Sequence, residues 1–333
     1  MSNVLITGVA GLLGSRMAEW ILDNTEYSVI GIDNLQGGYL ENIDSRVKFY
    51  KRDLAENSIE DIFKKHPIDY VFHFAAYAAE GLSPFIRKFN WKNNALSTAE
   101  VINCCITYNV KRLVYTSSMS VYGDGVKNER FYETNIPDPQ DPYAISKYAC
   151  EMDIISASKT HNLDYCIIRP HNVYGINQNI WDRYRNVLGI WMLQRLNNKP
   201  MTIYGDGEQM RAFSYIDDCL RPMWLAATKE QASKQIINLG GIKEYTINEA
   251  ANILLEIIGD YTIEHLEPRY EVKYAVPSWE KSVEILEYNE TVDLKKGLYN
   301  MWEWAKKQPH REQQIWKEYE IDKNLYSYWK NNV

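Results

Sequence analysis

The sequence predicts an α/β protein in which a doubly wound parallel sheet is joined to a smaller C-terminal α/β substrate domain. Strand-like and helix-like segments alternate five times in the first third of the chain, a glycine-rich turn follows the first strand, and the alternation becomes irregular after about residue 175. Such alternation favours a parallel sheet with helices on both faces. Because ligands bind beyond the carboxyl ends of the strands in these sheets, we expect the functional site at the loops after strands one, four and five.

The first 33 residues have the order strand, glycine turn, helix, strand, acid. A short apolar run leads directly into Gly8, Gly11 and Gly14, and a helical stretch then connects to a second apolar run that ends on Asp33. Glycine is needed where the turn is tight and where the backbone approaches a pyrophosphate, and the free N–H groups of the helix start form an anion site. The Asp33 carboxylate can accept hydrogen bonds from ribose hydroxyls and would repel a 2′-phosphate. The pattern therefore favours NAD over NADP.

Apolar periodicity continues along the chain and predicts the remaining elements. These are strand 47–50, helix 59–65, strand 70–74, helix 84–108, strand 112–116, helix 143–160, strand 164–168, helix 184–196, strand 201–204, strand 236–240 and helix 248–258, with approximate bounds. Asp53, after the third strand, could hydrogen-bond an adenine amino group, or it could cap a helix or lie in a solvated turn. His73, alone among apolar residues of the fourth strand, is interpreted as a core group.

Composition excludes several classes of partner. The chain has 37 basic and 44 acidic residues, a net charge of −7 and no basic run, which argues against nucleic acid or an anionic membrane as the main partner. No apolar stretch is long enough to cross a bilayer, and we expect no signal peptide because a strand begins within the first few residues. The five cysteines are odd in number and lie in helix- or strand-like segments, so we expect reduced thiols and a cytoplasmic location. The cysteines and the six scattered histidines show no metal-ligand spacing, so we expect no metal site.

Tyr143 and Lys147 lie four residues apart at the start of a predicted helix and so share one face. An ammonium group near a phenol favours the phenolate, and a cationic nicotinamide would favour it further. Such a tyrosine can take a proton from a substrate hydroxyl near neutral pH, and a serine can hold the same oxygen. Because this spacing is also common on solvated helix faces, its weight comes from its position just beyond the fifth strand.

Several motifs together resemble the extended short-chain dehydrogenase/reductases, and among them the NAD-dependent nucleotide-sugar epimerase/dehydratase family, especially its 4-epimerases. The resemblance covers roughly the first 260 residues. The motifs are Gly8-x-x-Gly11-x-x-Gly14, Asp33, Asp53, His73-Phe74-Ala75-Ala76, Ser117-Ser118-x-x-Val121-Tyr122-Gly123 and Tyr143-x-x-x-Lys147. The resemblance implies a Rossmann-type NAD-binding domain at 1–175, with return segments at about 212–240. Residues 176–211 and 241–333 would then form the nucleotide-sugar-binding domain and a C-terminal extension.

The resemblance also implies roles for individual residues. Tyr143 is the expected acid/base, Lys147 holds the nicotinamide ribose and lowers the tyrosine pKa, and Ser118 hydrogen-bonds the reacting sugar oxygen. The residues expected to bind the cofactor are Gly8, Gly11, Leu12, Leu13, Gly14, Asp33, Asn34, Asp53, Leu54, Phe74, Ala75, Ala76, Asn94, Ser117, Tyr143, Lys147 and Pro170.

The residues expected to bind the substrate are Glu80, Ser118, Asn172, Arg211 and Arg269. Arg211 and Asn172 would hold the nucleotide diphosphate. Arg269 partly matches a second arginine of the family, but the glycine–acid pair that usually follows it is missing. We expect Arg183 and Arg185 on solvated surface, with phosphate contact as the alternative.

The loop after the fifth strand distinguishes reactions within the family. Dehydratases of the group carry a Thr-Asp-Glu run there, whereas this chain has Ser118-Met119-Ser120, so 4,6-dehydration is disfavoured. We expect an NAD-dependent 4-epimerase acting on a nucleotide sugar, with a UDP-sugar favoured, through a transient 4-keto sugar. A 4-ketosugar reductase or 4-dehydrogenase, a C3/C5 epimerase and a non-catalytic NAD-binding scaffold remain alternatives.

Three further expectations concern less regular parts of the chain. Glu80 stands where the family usually has an apolar residue beside the sugar, so it could act as a second base or read a sugar hydroxyl. Alternatively, it could turn to solvent or pair with a nearby arginine such as Arg87. The predicted helices 84–108 and 143–160 resemble the pair that forms a four-helix dimer contact, so we expect a homodimer. The extension 309–333 could pack on the surface or at a subunit contact.

Overall fold

The structure, a computed structural model, describes residues 2–330. Its strands are β1 (Asn3–Thr7), β2 (Ser28–Asp33), β3 (Lys48–Lys51), β4 (Ile68–His73), β5 (Arg112–Thr116), β6 (Tyr165–Pro170), β7 (Val173–Tyr174), β8 (Met201–Tyr204), β9 (Met210–Ala212), β10 (Ser214–Tyr215), β11 (Gln235–Leu239), β12 (Glu244–Thr246), β13 (Ile263–Leu266) and β14 (Tyr274–Ala275). Its helices are α1 (Leu12–Asn24), α2 (Glu60–Lys65), α3 (Arg87–Trp91), α4 (Ser97–Thr107), α5 (Pro142–His161), α6 (Val187–Leu196), α7 (Ile216–Thr228), α8 (Ile247–Ile258), α9 (Glu280–Leu286), α10 (Leu294–Ala305) and α11 (Ser327–Lys330).

Seven strands form one parallel sheet in the order β11-β6-β5-β4-β1-β2-β3. The central strand β1 is buried along its whole length, as expected where helices cover both faces of a parallel sheet. Successive β1 side chains enter different cores: Val4 and Ile6 pack with helices α1 and α7, and Leu5 packs with α2, α4 and α5. The predicted fold class is confirmed.

A second layer of structure lies beyond the sheet. Helices α6, α8 and α10 share a core with strand β8, centred on the fully buried side chains of Trp191, Leu254 and Leu298. The two-stranded sheet β8–β13 and the three-stranded sheet β12-β9-β14 belong to this part of the chain. Strand β11 lies within the predicted return segment and pairs with β6 at one edge of the seven-stranded sheet. The exact bounds of the two predicted domains stay a prediction.

Two predicted helices have different starts in the structure. The predicted helix 84–108 is a 3-10 turn (Glu80–Phe85) followed by α3, a π-helical turn (Lys92–Leu96) and α4. The predicted helix 184–196 begins only at Val187, because the Asn186 side chain accepts a hydrogen bond from Leu188 N at 3.0 Å and caps it.

The C-terminal extension packs on its own chain, over the 3-10 turn of residues 80–85. Trp329 is 1% exposed, and its ring centroid lies 6.0 Å from that of Phe85 and 4.9 Å from that of Tyr184. The Glu320 carboxylate accepts the backbone N–H groups of Lys88 and Phe89, at 2.8 and 2.9 Å. The extension therefore packs on the surface of its own subunit, and a contribution to a subunit contact stays a prediction. Within residues 2–330, no helix has the length and apolar character needed to cross a membrane.

Candidate active site

One cavity of about 460 Å³ lies at the carboxyl ends of the sheet strands, where the sequence predicts the site. Every predicted site residue except Asn94 lines it: Gly8, Gly11, Leu12, Leu13, Gly14, Asp33, Asn34, Asp53, Leu54, Phe74, Ala75, Ala76, Glu80, Ser117, Ser118, Tyr143, Lys147, Pro170, Asn172, Arg211 and Arg269. Residues separated by more than 250 positions are thus brought to one chamber.

The glycine turn fits a pyrophosphate because side chains have no room there. Gly8 has φ +72°, and a Cβ on it would lie 2.8 Å from Ala75 N. A Cβ on Gly14 would lie 2.1 Å from the carbonyl oxygen of Gly8. Gly11 is the N-cap of α1 and brings no capping side chain, so the first N–H groups of the helix are left for a ligand.

Two carboxylates line the part of the cavity beside β2 and β3. Asp33 accepts hydrogen bonds from Ala10 N at 3.0 Å and Leu35 N at 2.7 Å. Burial raises its pKa, against the lowering effect of these backbone bonds. Asp53 accepts hydrogen bonds from the Asn34 side-chain amide at 3.0 Å and from Ala55 N at 2.9 Å. Since a carboxylate has about four acceptor positions, both groups keep capacity for a ligand.

Asn94 stands behind the cavity wall and does not line it. Its side-chain oxygen accepts the N–H of Tyr77 at 2.8 Å, and its amide nitrogen donates to Asn90 Oδ1 at 2.8 Å. The π-helical turn directs the side chain toward the loop after β4, so the predicted contact of Asn94 with the cofactor is not supported by the cavity lining and stays a prediction. Asn94 supports that loop, and the neighbouring Asn93 lines the cavity instead.

Ser118, Tyr143 and Lys147 meet where β5 and α5 adjoin the cavity. Lys147 donates to the carbonyl oxygen of Thr116 at 2.8 Å, and its Nζ lies 6.0 Å from the centre of the Tyr143 ring. Helix α5 begins with the Asp141 carboxylate accepting Ala144 N at 3.0 Å, which orients the first turn that carries Tyr143. All three predicted catalytic side chains are at least nine-tenths buried.

The protein alone raises the pKa of Tyr143, whereas the resemblance implies that Lys147 lowers it. Burial is the main cause, the nearby Glu80 carboxylate adds to it, and a hydrogen bond with Ser118 acts in the opposite direction. Burial also lowers the pKa of Lys147 to about 8, against the smaller raising effects of Cys150 and Glu151. Without further positive charge, the neutral phenol is favoured.

The two arginines predicted to bind phosphate share one carboxylate. Arg211 Nη2 lies 3.0 Å from Glu271 Oε1, and Arg269 Nε lies 3.1 Å from Glu271 Oε2. Burial would raise the pKa of Glu271, but the two guanidinium groups outweigh it and lower the pKa. Asn172 lines the same cavity with φ +27° and donates to the carbonyl oxygen of Ala212 at 3.1 Å.

Arg183 and Arg185 line the cavity, so the expectation of a solvated surface is wrong. Arg183 is 7% exposed and its Nη1 has no hydrogen-bond partner within residues 2–330. Arg185 pairs with Asp182 at 2.9 Å. The loop that follows β7 folds inward, which local sequence composition does not indicate.

Sequence reasoning also missed a number of lining residues, among them Glu271, Gln313 and Tyr328. Glu271 carried a signal, since an acid does follow Arg269, at a spacing that differs from the usual one. Tyr328 carried none. It reaches the cavity because the extension folds back, where the Arg183 guanidinium lies 5.3 Å from the centre of its ring.

Comparisons with known proteins agree with this geometry. The model of a family described as the NAD dependent epimerase/dehydratase family matches residues 4–240. The crystal structure of the UDP-glucose 4-epimerase of Thermotoga maritima with UDP-glucose is 32% identical, has a TM-score of 0.86, and matches over 92% of this chain and 99% of that one. The UDP-glucuronic acid 4-epimerase of Bacillus cereus, solved with UDP-glucuronic acid and NAD, is 29% identical with a TM-score of 0.84 over 91% and 99%. The dTDP-D-glucose 4,6-dehydratase of Dictyostelium discoideum is 31% identical over 77% of this chain and 62% of that protein.

The fold and the cavity thus define an NAD-dependent enzyme of the extended short-chain dehydrogenase/reductase class. More specifically, the chain belongs to the NAD-dependent epimerase/dehydratase family. The predicted family, enzymatic activity and NAD cofactor are confirmed.

Proposed function

We propose that this enzyme is an NAD-dependent 4-epimerase of UDP-sugars. The observation that carries the proposal is the convergence of Ser118, Tyr143 and Lys147 on the cavity that also holds the glycine turn and the pair Arg211 and Arg269. One chamber therefore contains a dinucleotide site, a group able to transfer a proton, and cations suited to a diphosphate.

The chain's own residues position the substrate and move one proton. The Tyr143 phenolate takes the proton of the C4 hydroxyl, becoming a neutral phenol, and later returns that proton, while Ser118 holds the same sugar oxygen. When bound, NAD supplies a reversible hydride acceptor and a positive ring charge that favours the Tyr143 phenolate. Lys147, fixed on Thr116, would hold the nicotinamide ribose. Asp33 would bind the adenosine ribose.

The arginine pair would hold the diphosphate and let the sugar turn over. Guanidinium groups bind phosphate oxygens bidentately, so Arg211 and Arg269 can fix the diphosphate while the 4-keto sugar presents its other face. Glu271 holds both guanidinium groups in place through ion pairs at 3.0 and 3.1 Å. The absence of an acid in Ser118-Met119-Ser120 is why we favour epimerisation over 4,6-dehydration.

The test is conversion of UDP-glucose by purified protein without added cofactor, followed by NMR of the sugar products. We expect interconversion of the two C4 epimers, and at least about a thousandfold loss in Tyr143→Phe, since its proton-transfer group is removed. Tyr299→Phe, on the exposed face of α10, is the matched control. A requirement for stoichiometric NAD(P)H, or wild-type turnover by Tyr143→Phe, would contradict the proposal.

We further infer a homodimer in the cytoplasm. Helices α3–α4 and α5 pack together, and they leave large apolar side chains exposed: Trp91, Leu96, Ile145 and Met152 are between 40% and 55% accessible. A second copy of the chain would cover this surface. All five cysteines are buried free thiols, which supports a reducing compartment.

A further inference from the structure

Glu80 lies at the entrance of the 3-10 turn of residues 80–85, and this turn joins the two ends of the site. At one end, a methyl group built on Gly81 would lie 3.7 Å from Arg269 Nη1. At the other end, the Ser83 hydroxyl accepts the N–H of Tyr143 at 3.1 Å and donates to the Asp141 carboxylate at 3.1 Å. The turn therefore spans the distance from a proposed diphosphate ligand to the proposed acid/base.

A nucleotide sugar has the same layout. If Arg211 and Arg269 bind the diphosphate and Tyr143 reaches the C4 oxygen, the hexose ring has to lie between these two ends of the site, beside Glu80. Glu80 lines this cavity and is solvent-accessible. No ion pair or side-chain hydrogen bond within residues 2–330 engages its carboxylate.

Most positive charges of the cavity are engaged elsewhere. Arg211 and Arg269 pair with Glu271, Arg185 pairs with Asp182, and Lys147 donates to a backbone carbonyl. Arg183 donates through Nη2 to the carbonyl oxygen of Tyr328 at 3.3 Å, and its Nη1 has no partner within residues 2–330. A diphosphate would occupy Arg211 and Arg269. The carboxylate of Glu80 therefore lies in the proposed sugar subsite without an ion-pair partner among residues 2–330.

We propose that Glu80 sets the substrate class, so that the enzyme accepts neutral hexoses and rejects sugars that carry a carboxylate. The proposal rests on the 4-epimerase function and decides between two classes of relative, those that act on UDP-glucose and those that act on UDP-glucuronic acid. A second carboxylate beside Glu80 would meet like-charge repulsion in a poorly solvated chamber, whereas a hydroxyl can donate a hydrogen bond to it.

The experiment compares UDP-glucose with UDP-glucuronic acid in two assays on the NAD-bound enzyme, calorimetric binding and epimerisation. We expect wild type to favour UDP-glucose by about 100-fold in both affinity and kcat/KM, and Glu80→Gln to reduce this preference to within about tenfold. Glu26→Gln, which changes an exposed glutamate that does not line the cavity, should keep the wild-type ratio.

A change of pH tests the same idea without a mutation. Glu80 is accessible from the cavity, but the surrounding protein desolvates its carboxylate. This desolvation and the charge of Asp141 raise the pKa of Glu80 to about 7, with Glu271 adding to the effect and Arg211 and Arg269 opposing it. Because protonation removes the charge, the preference of wild type for UDP-glucose should narrow as the pH falls from about 8 to 6. Taking a ratio between two substrates cancels the titration of Tyr143, which affects both.

Three results are distinguishable. Equal binding of the two nucleotide sugars by wild type, or an unchanged ratio in Glu80→Gln, overturns the inference about Glu80. Selective binding of UDP-glucose without its epimerisation supports the role of Glu80 and contradicts the proposed function. Selective binding and epimerisation of UDP-glucose by wild type, with the selectivity lost when the Glu80 charge is removed, supports both the role of Glu80 and the proposed function.

Discussion

At the scale of single residues, the site holds ionisable groups in states that cost folding free energy. Lys147 is 3% exposed, and within residues 2–330 its ammonium group contacts a backbone carbonyl and the ring of Tyr115 but forms no ion pair. Burial consequently lowers its pKa from 10.5 to about 8. Active sites commonly keep such groups because function, and not stability, selects them.

We therefore expect Lys147→Met to stabilise the nucleotide-free protein while abolishing epimerisation. The lowered pKa means that the unfolded state binds the proton more tightly, so the charged lysine destabilises the fold fully below about pH 8 and ceases to do so above about pH 10.5. Replacement should raise the free energy of unfolding at pH 7 by roughly 2–3 kcal/mol. Denaturant unfolding of nucleotide-free protein at pH 7 and 10 measures this.

The control for this prediction is Lys159→Met, which changes an exposed lysine of the same helix and should leave stability within about 0.5 kcal/mol of wild type. A lower free energy of unfolding for Lys147→Met at pH 7 would show that the ammonium group stabilises the fold.

Residues at motif positions could be predicted from the sequence, and residues brought in by distant loops could not. Gly8, Asp33 and Tyr143 occur at spacings that the chemistry itself requires, and all three line the cavity. Arg183 and Tyr328 face it only because the loop after β7 and helix α11, far apart in the chain, fold against each other, and no local pattern encodes such a contact.

At the scale of elements, the C-terminal extension is part of the wall of the site. Its Leu325 and Trp329 pack against Ala79, Leu82 and Phe85, which hold the 3-10 turn of residues 80–85. Periodicity predicted most strands to within two residues, because a buried parallel strand requires a continuous apolar run. The extension has mixed charged and aromatic residues, so its sequence alone left its place open.

Trp329→Ala should disturb both the fold and the substrate site. Removing a buried tryptophan leaves a cavity that costs about 3–5 kcal/mol of the free energy of unfolding. The 3-10 turn then loses support, so KM for the nucleotide sugar should rise several-fold, with a smaller change in kcat. Denaturant unfolding and steady-state kinetics measure the two effects.

Tyr299→Ala, which truncates a half-exposed aromatic residue on α10, serves as the comparison. It should leave both the free energy of unfolding and the KM for the nucleotide sugar close to the wild-type values. If Trp329→Ala lowered stability but left KM unaltered, the extension would support the fold without shaping the site.

At the scale of the whole molecule, the apolar surface of α3–α4 and α5 predicts how subunits associate. Leu96 and Met152 are 55% and 50% exposed, and large contiguous apolar patches are uncommon on monomers. The double variant Leu96→Glu/Met152→Glu should elute from gel filtration with light scattering at the monomer mass, whereas wild type elutes at twice that mass, because buried charge in the contact opposes association.

Ile136→Glu tests whether any added charge has the same effect, since Ile136 is 90% exposed and lies in a loop outside these helices. It should stay dimeric. Wild type at the monomer mass would refute the dimer directly.

Strand β11 has a consequence for how the chain is made. It pairs with β6 in a register that runs from Cys166 opposite Gln235 to Pro170 opposite Leu239. In the sequence, however, Gln235 comes 65 positions after Pro170. At a synthesis rate of about 5–20 residues per second, the free edge of β6 therefore waits roughly 3–13 seconds for its partner to leave the ribosome. During that interval the nascent chain presents unpaired backbone groups beside an apolar surface. A chaperone that shields strand edges could bind the nascent chain during this interval, before the residues of the active site have all been synthesised.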